Sequence, residues 1–229
     1  MIDLIVIGEG LTEETFVRDV LAGRLAERNI FLEPRIIPTS ARKRGGALSR
    51  TRVLVYLRNT LRQRADTYVT TLFDLYGLTP DFPGKAESSQ IADPLARANA
   101  IEKLFADAVI EVAQCRAERF IPHIQPYEFE SLLFTDIGVL TEIEPGWQIQ
   151  ADQLEAARSG AASPEHINDG QDTHPSARLQ RMLTPRYQKV LHGSAAAGRI
   201  GLERIRAECK HFGDWLGRIE ALQPLRTEA

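Results

Sequence analysis

The chain predicts an α/β fold: a mainly parallel sheet flanked by helices, with a C-terminal helical appendage. Three observations carry that expectation. Short apolar runs alternate with segments of helical period through the first half of the 229 residues. The opening run IDLIVI (residues 2–7) is the kind found in strands buried on both faces. From about Thr135 onward the texture changes to short helical pieces broken by Gly, Pro and Ser.

Residues 2–7 form the first strand, and Gly8, Glu9 and Gly10 turn the chain into a helix. Thr12 is placed to cap that helix, and Glu13 and Glu14 in its first turn suit the positive end of the dipole. Its apolar stripe is Phe16, Val17, Val20, Leu21 and Leu25. Residues 31–37 have strand character up to Pro38, and a Gly-containing basic loop spans 39–47. A helix then runs through Val53, Leu54, Leu57 and Leu61. A third strand, 68–73, ends at Asp74, and a Pro/Gly-punctuated loop covers 77–84. A long helix is expected over 94–116, where Ala98, Ile101, Leu104, Phe105 and Val109 repeat at helical spacing, and 120–124 is a fourth strand. Such βα alternation needs crossover helices, hence parallel strands whose ligands gather beyond their carboxyl ends. The expected division is an α/β domain over 1–134 and a helical extension over 135–229 packed on it. The extension includes an amphipathic stretch through Ile205, Phe212, Trp215 and Leu216.

Composition excludes several classes. There are 28 Lys and Arg against 31 Asp and Glu, a net charge of −3, with 43% hydrophobic and 26% charged residues, so disorder, collagen and disulfide scaffolds do not fit. The two cysteines, Cys115 and Cys209, form no C-x-x-C pair, which suits a reducing compartment. The opening residues lack a basic leader and no run approaches the 18 or so apolar residues of a membrane span. A cytoplasmic protein without membrane attachment is expected.

Acids follow three of the four strands: Glu9 after the first, Asp74 after the third, Glu128 and Glu130 just after the fourth. In a parallel sheet these share one edge. Converging carboxylates repel unless a cation neutralises them, and hard oxygen donors suit Mg²⁺ or Mn²⁺. Singly, each acid is equally well a loop solubiliser or helix cap; their joint placement points to a metal site able to activate water and hold a phosphoryl oxygen. Gly8-Glu9-Gly10 is not a dinucleotide fingerprint, because Glu13 stands where its third glycine belongs, and no P-loop Lys follows.

Between residues 34 and 65 there are nine basic residues and no acidic ones. Arg42, Lys43 and Arg44, beside Gly45 and Gly46, are the candidate phosphate grip, giving affinity without sequence selectivity. Arg58, Arg62 and Arg64 read equally as a solvated helix face. The five histidines make no H-E-x-x-H pair, and His123, in the fourth strand, is more ordinarily a hydrogen-bonded strand residue than a member of the acidic edge. No serine sits in a G-x-S-x-G setting.

The segment IVIGEGLTEE (5–14) resembles the first strand and turn of Toprim-fold proteins, where a Glu follows that strand. The blocks TLFDLYG (71–77), HIQPYEFESLLF (123–134), PEHIN (164–168) and PSARL (175–179) resemble an uncharacterised Toprim-like family, catalogued as domain of unknown function 4276, over nearly the whole chain. The resemblance implies relatedness to topoisomerases, DnaG-type primases, OLD-type nucleases and RloB-like phage-defence proteins, several of which act beside ABC-type ATPases. By position, Glu9 is similar to the Toprim glutamate, a general acid/base or metal ligand, and Asp74 to the first acid of its Asp-x-Asp element. Tyr76 stands where the second Asp belongs and cannot replace a carboxylate at neutral pH.

The expected function is therefore a Mg²⁺- or Mn²⁺-dependent nuclease acting on DNA or RNA, an effector of phage defence. Glu9, Asp74 and Glu128 hold the metal, Glu130 assists them, and Arg42, Lys43 and Arg44 grip phosphates. Arg178 and Lys189 are further candidate phosphate contacts, and an ABC-type, OLD-like ATPase is the expected partner. The alternative is a non-catalytic adaptor or sensor subunit that binds such an ATPase.

Overall fold

The computed structural model describes residues 1–40, 43–44, 47–168, 170 and 173–225. Strand β1 (Ile2–Gly8) leads into α1 (Leu11–Phe16), which continues through a π-helical turn (Val17–Leu21) into α2 (Ala22–Ala26). Strand β2 (Ile30–Ile36) follows, then the short antiparallel pair β3 (Pro38–Ser40) and β4 (Lys43–Arg44), then α3 (Arg50–Gln63), β5 (Tyr68–Asp74) and α4 (Pro94–Ala113). Two-residue strands β6 (Phe120–Ile121) and β7 (Ile124–Gln125) complete the sheet. The remainder is helical: α5 (Ile137–Thr141), α6 (Ala151–Ser159), α7 (Pro175–Met182), α8 (Lys189–Ile200), α9 (Leu202–Glu208) and α10 (Lys210–Glu220).

The α/β class and the parallel sheet are as the sequence predicts. Strand order is β2-β1-β5-β6, with β7 also on β5, and every pair in this sheet is parallel. Strand β1 is central, with Ile5 opposite Glu33 on one side and Val69 on the other. Its side chains alternate between two cores because successive residues of a strand point to opposite faces. Leu4 and Val6 join Phe16, Leu133 and the C-terminal helices, while Ile5 and Ile7 join α3 and α4 through Val53, Leu57, Ile101 and Phe105. The result is three layers, helix on sheet on helix. Residues beyond 135 complete the first core, with Trp147, Leu179, Phe212 and Trp215 buried in it.

Three local expectations are corrected. Thr12 does not cap α1; the cap is Gly10, whose N–H is held by the Glu13 carboxylate at 2.8 Å. The fourth strand is split, since Pro122 has no N–H to give the ladder and His123 lies between the two halves. Helix α4 stops at Ala113, because Gln114 takes a left-handed conformation (φ 54°) that ends it. Its start is fixed by the Asp93 carboxylate, which accepts from the Ala96 N–H at 2.7 Å, and by Pro94 in the first turn.

Candidate metal centre

The carboxyl edge of the sheet gathers the acids. Asp74 ends β5, Glu9 follows β1, and Glu128 and Glu130 open the turn after β7. One carboxylate oxygen from each of Asp74, Glu128 and Glu130 falls in a group whose members all lie within 4.8 Å of one another. Backbone donors aim these groups. Glu9 Oε1 accepts from the Asp74 N–H at 2.6 Å, and Asp74 Oδ1 accepts from the Phe129 N–H at 2.8 Å. Gly77 makes room for Glu9: a Cβ there would stand 2.2 Å from its Oε2.

Glu128 is aimed by a strained turn. Tyr127 has a positive φ of 62°, rare for a bulky side chain, and the Glu128 N–H closes the three-residue turn on the Pro126 carbonyl at 2.9 Å. Its carboxylate then meets the start of α7, accepting from the Ser176 N–H at 2.9 Å and the Ser176 hydroxyl at 3.0 Å, with His174 Nδ1 at 2.8 Å. The helix-cap role considered for such acids is thus real for Glu128. Lys189, first residue of α8, reaches both Glu128 Oε1 and Glu130 Oε2 at 3.3 Å. Tyr187 donates its hydroxyl to Glu130 Oε1 at 3.4 Å.

Crowding and burial move the protons. Burial, reinforced by the Glu13 charge, raises the Glu9 carboxyl to about 8. Burial lifts Asp74 well above its ordinary value, with Glu9 and Glu13 adding to it, and raises Glu130 to about 7. For Glu128 burial also pushes upward, but Lys189, the Ser176 N–H and His174 outweigh it and hold the carboxyl low. Burial disfavours the Lys189 ammonium, yet Glu130, Glu128 and Asp74 together hold its pKa above the usual lysine value. An all-carboxylate, hard-oxygen donor set with incompletely neutralised charge fits Mg²⁺ or Mn²⁺ rather than a thiophilic ion.

Glu9, Asp74, Glu128 and Glu130 therefore come together, and Lys189 sits among them rather than on an open face. Arg178 is buried away from solvent and donates from Nε to the Thr173 carbonyl at 2.5 Å. Arg42 lies outside the described residues, as do the side chains of Lys43 and Arg44. Arg62 donates to the carbonyls of Val112 and Ala113, and Arg64 pairs with Asp3 and Asp66. His123 does not approach the acids; it lies against Glu102, His211 and Trp215. Glu13, His174, Ser176 and Tyr187 are site residues that the sequence reasoning missed. Glu13 had a sufficient explanation in the helix dipole, and the other three approach the acids only through tertiary packing. Tyr76, 45% exposed, stands at the rim with its ring centroid 5.6 Å from those of both Tyr127 and His174.

The protein is thus an α/β chain with acids converging on the carboxyl edge of a parallel sheet. Residues 8–220 match the family described as Domain of unknown function (DUF4276), and the chain belongs to that family. No curated protein and no solved structure matches it.

Proposed function

We propose that this protein is a Mg²⁺- or Mn²⁺-dependent nuclease of Toprim type that hydrolyses phosphodiester bonds of DNA or RNA in the cytoplasm. The observation that carries the reading is the convergence of Asp74, Glu128 and Glu130 within 4.8 Å at the carboxyl edge of the parallel sheet. The motif resemblance at Glu9 and Asp74 supports the Toprim assignment. It is also what supports a phage-defence role and an ABC-type ATPase partner.

Asp74, Glu128 and Glu130 would hold the ion, with Glu9 beside them. The ion would supply Lewis-acid stabilisation of a phosphoryl oxygen and a more acidic water. Glu9, raised to about 8, retains its proton at neutral pH and can deliver it to a leaving oxygen. The Lys189 ammonium adds fixed positive charge where a phosphate would approach. The exposed ring of Tyr76 offers a face on which an unpaired base can stack.

A second reading, the non-catalytic adaptor, draws on Lys189, which already neutralises part of the acidic cluster, and on Tyr76 in place of a second acid. Incubation with labelled single-stranded DNA, duplex DNA and transfer RNA in Mn²⁺ separates the two. The nuclease reading expects cleavage that falls at least about 100-fold in Asp74→Asn and Glu9→Gln. Cleavage unchanged in both variants would remove these acids from the chemistry, and metal binding without cleavage of any substrate would favour the adaptor.

A further inference from the structure

A second group of ligands lies in the interior and is used by none of the chemistry above. Glu102 of α4, His123 between β6 and β7, and His211 of α10 are all buried and place one donor atom each within 4.8 Å of one another. The surrounding hydrogen bonds decide which atoms are bare. Glu165 accepts through both oxygens, from the Phe212 N–H at 3.0 Å and the His211 N–H at 2.9 Å, so it is an acceptor. Gln125 therefore turns its amide NH₂ to Glu165, at 3.3 Å, and to Ser131, at 3.2 Å. Its oxygen faces His123 Nε2 at 3.1 Å, which makes that nitrogen the protonated one.

His123 Nδ1 is then a bare lone pair, and it has no hydrogen-bond partner although His123 is fully buried. It points at Glu102 Oε1, 3.6 Å away, an oxygen that already accepts from the Ile124 N–H at 2.7 Å and is 2.8 Å from His211 Nε2. Two buried acceptors face each other, an arrangement that costs free energy unless a cation lies between them. At 3.6 Å the gap is too long for a hydrogen bond to close it. Two ligands about 2.0–2.1 Å from a tetrahedral zinc ion stand roughly 3.3 Å apart, between the two separations seen here.

We propose that Glu102, His123 and His211 form a buried zinc site that pins the C-terminal helix α10 to α4 and to the sheet edge. The two-nitrogen, one-oxygen donor set suits Zn²⁺ or Co²⁺ rather than Mg²⁺. His211 enters the set when the Nε2 proton it directs at Glu102 leaves to solvent and Nε2 coordinates in its place, the ring keeping a proton on Nδ1. That requires its ring to turn from its present stack on His123, where the centroids are 5.0 Å apart. Gln125 fixes the His123 tautomer, as outer partners of metal-bound imidazoles do, and Glu165 supplies the second negative charge that balances a dication.

The test uses the full chain carrying Asp74→Asn, so that the acidic centre does not compete, and is independent of any nuclease activity. After chelation and dialysis, zinc is titrated back and counted per chain by mass spectrometry, and Co²⁺ is added to a second sample for its visible absorption. The expected result is one tightly held ion per chain, the intense absorption of tetrahedral Co²⁺, and a melting temperature several degrees higher with zinc. Adding Glu102→Gln or His123→Phe should weaken zinc binding at least about 100-fold. Zinc affinity unchanged by either substitution overturns the proposal. Should both variants fail to fold, weak octahedral Co²⁺ absorption, or none, in the Asp74→Asn protein overturns it equally.

Discussion

Glu9 illustrates how one carboxyl is prepared. Its oxygen is fixed by the Asp74 N–H, its space exists only because residue 77 has no side chain, and burial keeps its proton to about pH 8. Gly77→Ala is expected to displace the carboxylate and lower divalent-ion affinity at least about tenfold, read by metal titration, with little change in urea denaturation because only the end of the Glu9 side chain must move. The raised carboxyls also fix a sign. An acid whose pKa is higher folded than unfolded holds a proton the unfolded chain has lost, so stability falls as pH rises. For Glu9 that window runs from its ordinary value of 4.5 to about 8, and for Glu130 from 4.5 to about 7. The metal-free chain should lose stability through that range, with Glu128, which is held low, acting oppositely at more acid pH. A divalent ion held by Asp74, Glu128 and Glu130 must displace the protons of Asp74 and Glu130, while Glu9 beside it keeps its own. Titration at pH 7 in buffers of different ionisation enthalpy should report release of roughly one to two protons per ion. Heats independent of the buffer would count against the assignment of Asp74 and Glu130 as ligands.

At the scale of elements, the sequence exposes what depends on periodicity and hides what depends on approach. The run IDLIVI declares a strand buried on both faces, and residues 2–8 are one. The acids after β1, β5 and β7 are legible because a parallel sheet puts strand ends on one edge. Glu13 was hidden because its helix-dipole role was already sufficient; Lys189 reads from the sequence as a phosphate contact, and its pairing with Glu128 and Glu130 depends on where α8 packs. The break at Pro122 follows from a missing donor, yet periodicity alone runs straight through it. Nothing in the pattern of residues 123–130 reveals the positive φ of Tyr127, a strained conformation maintained next to a site acid. Helices α9 and α10 cross where residue 213 is glycine, and a Cβ there would stand 2.6 Å from the Arg206 carbonyl oxygen. Gly213→Ala should therefore cost about 1–3 kcal/mol in urea denaturation by forcing the two helices apart.

The described residues place a five-stranded parallel sheet between two cores, with the short β3–β4 pair beside it, and the C-terminal half builds part of the site as well as the packing. Glu128 is held by α7 and α8 through Ser176, His174 and Lys189, so the acidic edge is complete only when those helices are docked. The chain carries a net charge of −3, and at the acidic edge Lys189 pairs with Glu128 and Glu130. A divalent ion at that edge, in the presence of a phosphodiester, is what the proposed chemistry requires. The most direct measurement is calorimetric titration of Mn²⁺ into the wild-type chain and into Asp74→Asn, each sample then being incubated with labelled single-stranded DNA and transfer RNA. Binding and cleavage are expected of the wild type, and both should be lost together in the variant. Equal binding by the two proteins, or cleavage that survives in Asp74→Asn, would contradict the proposal.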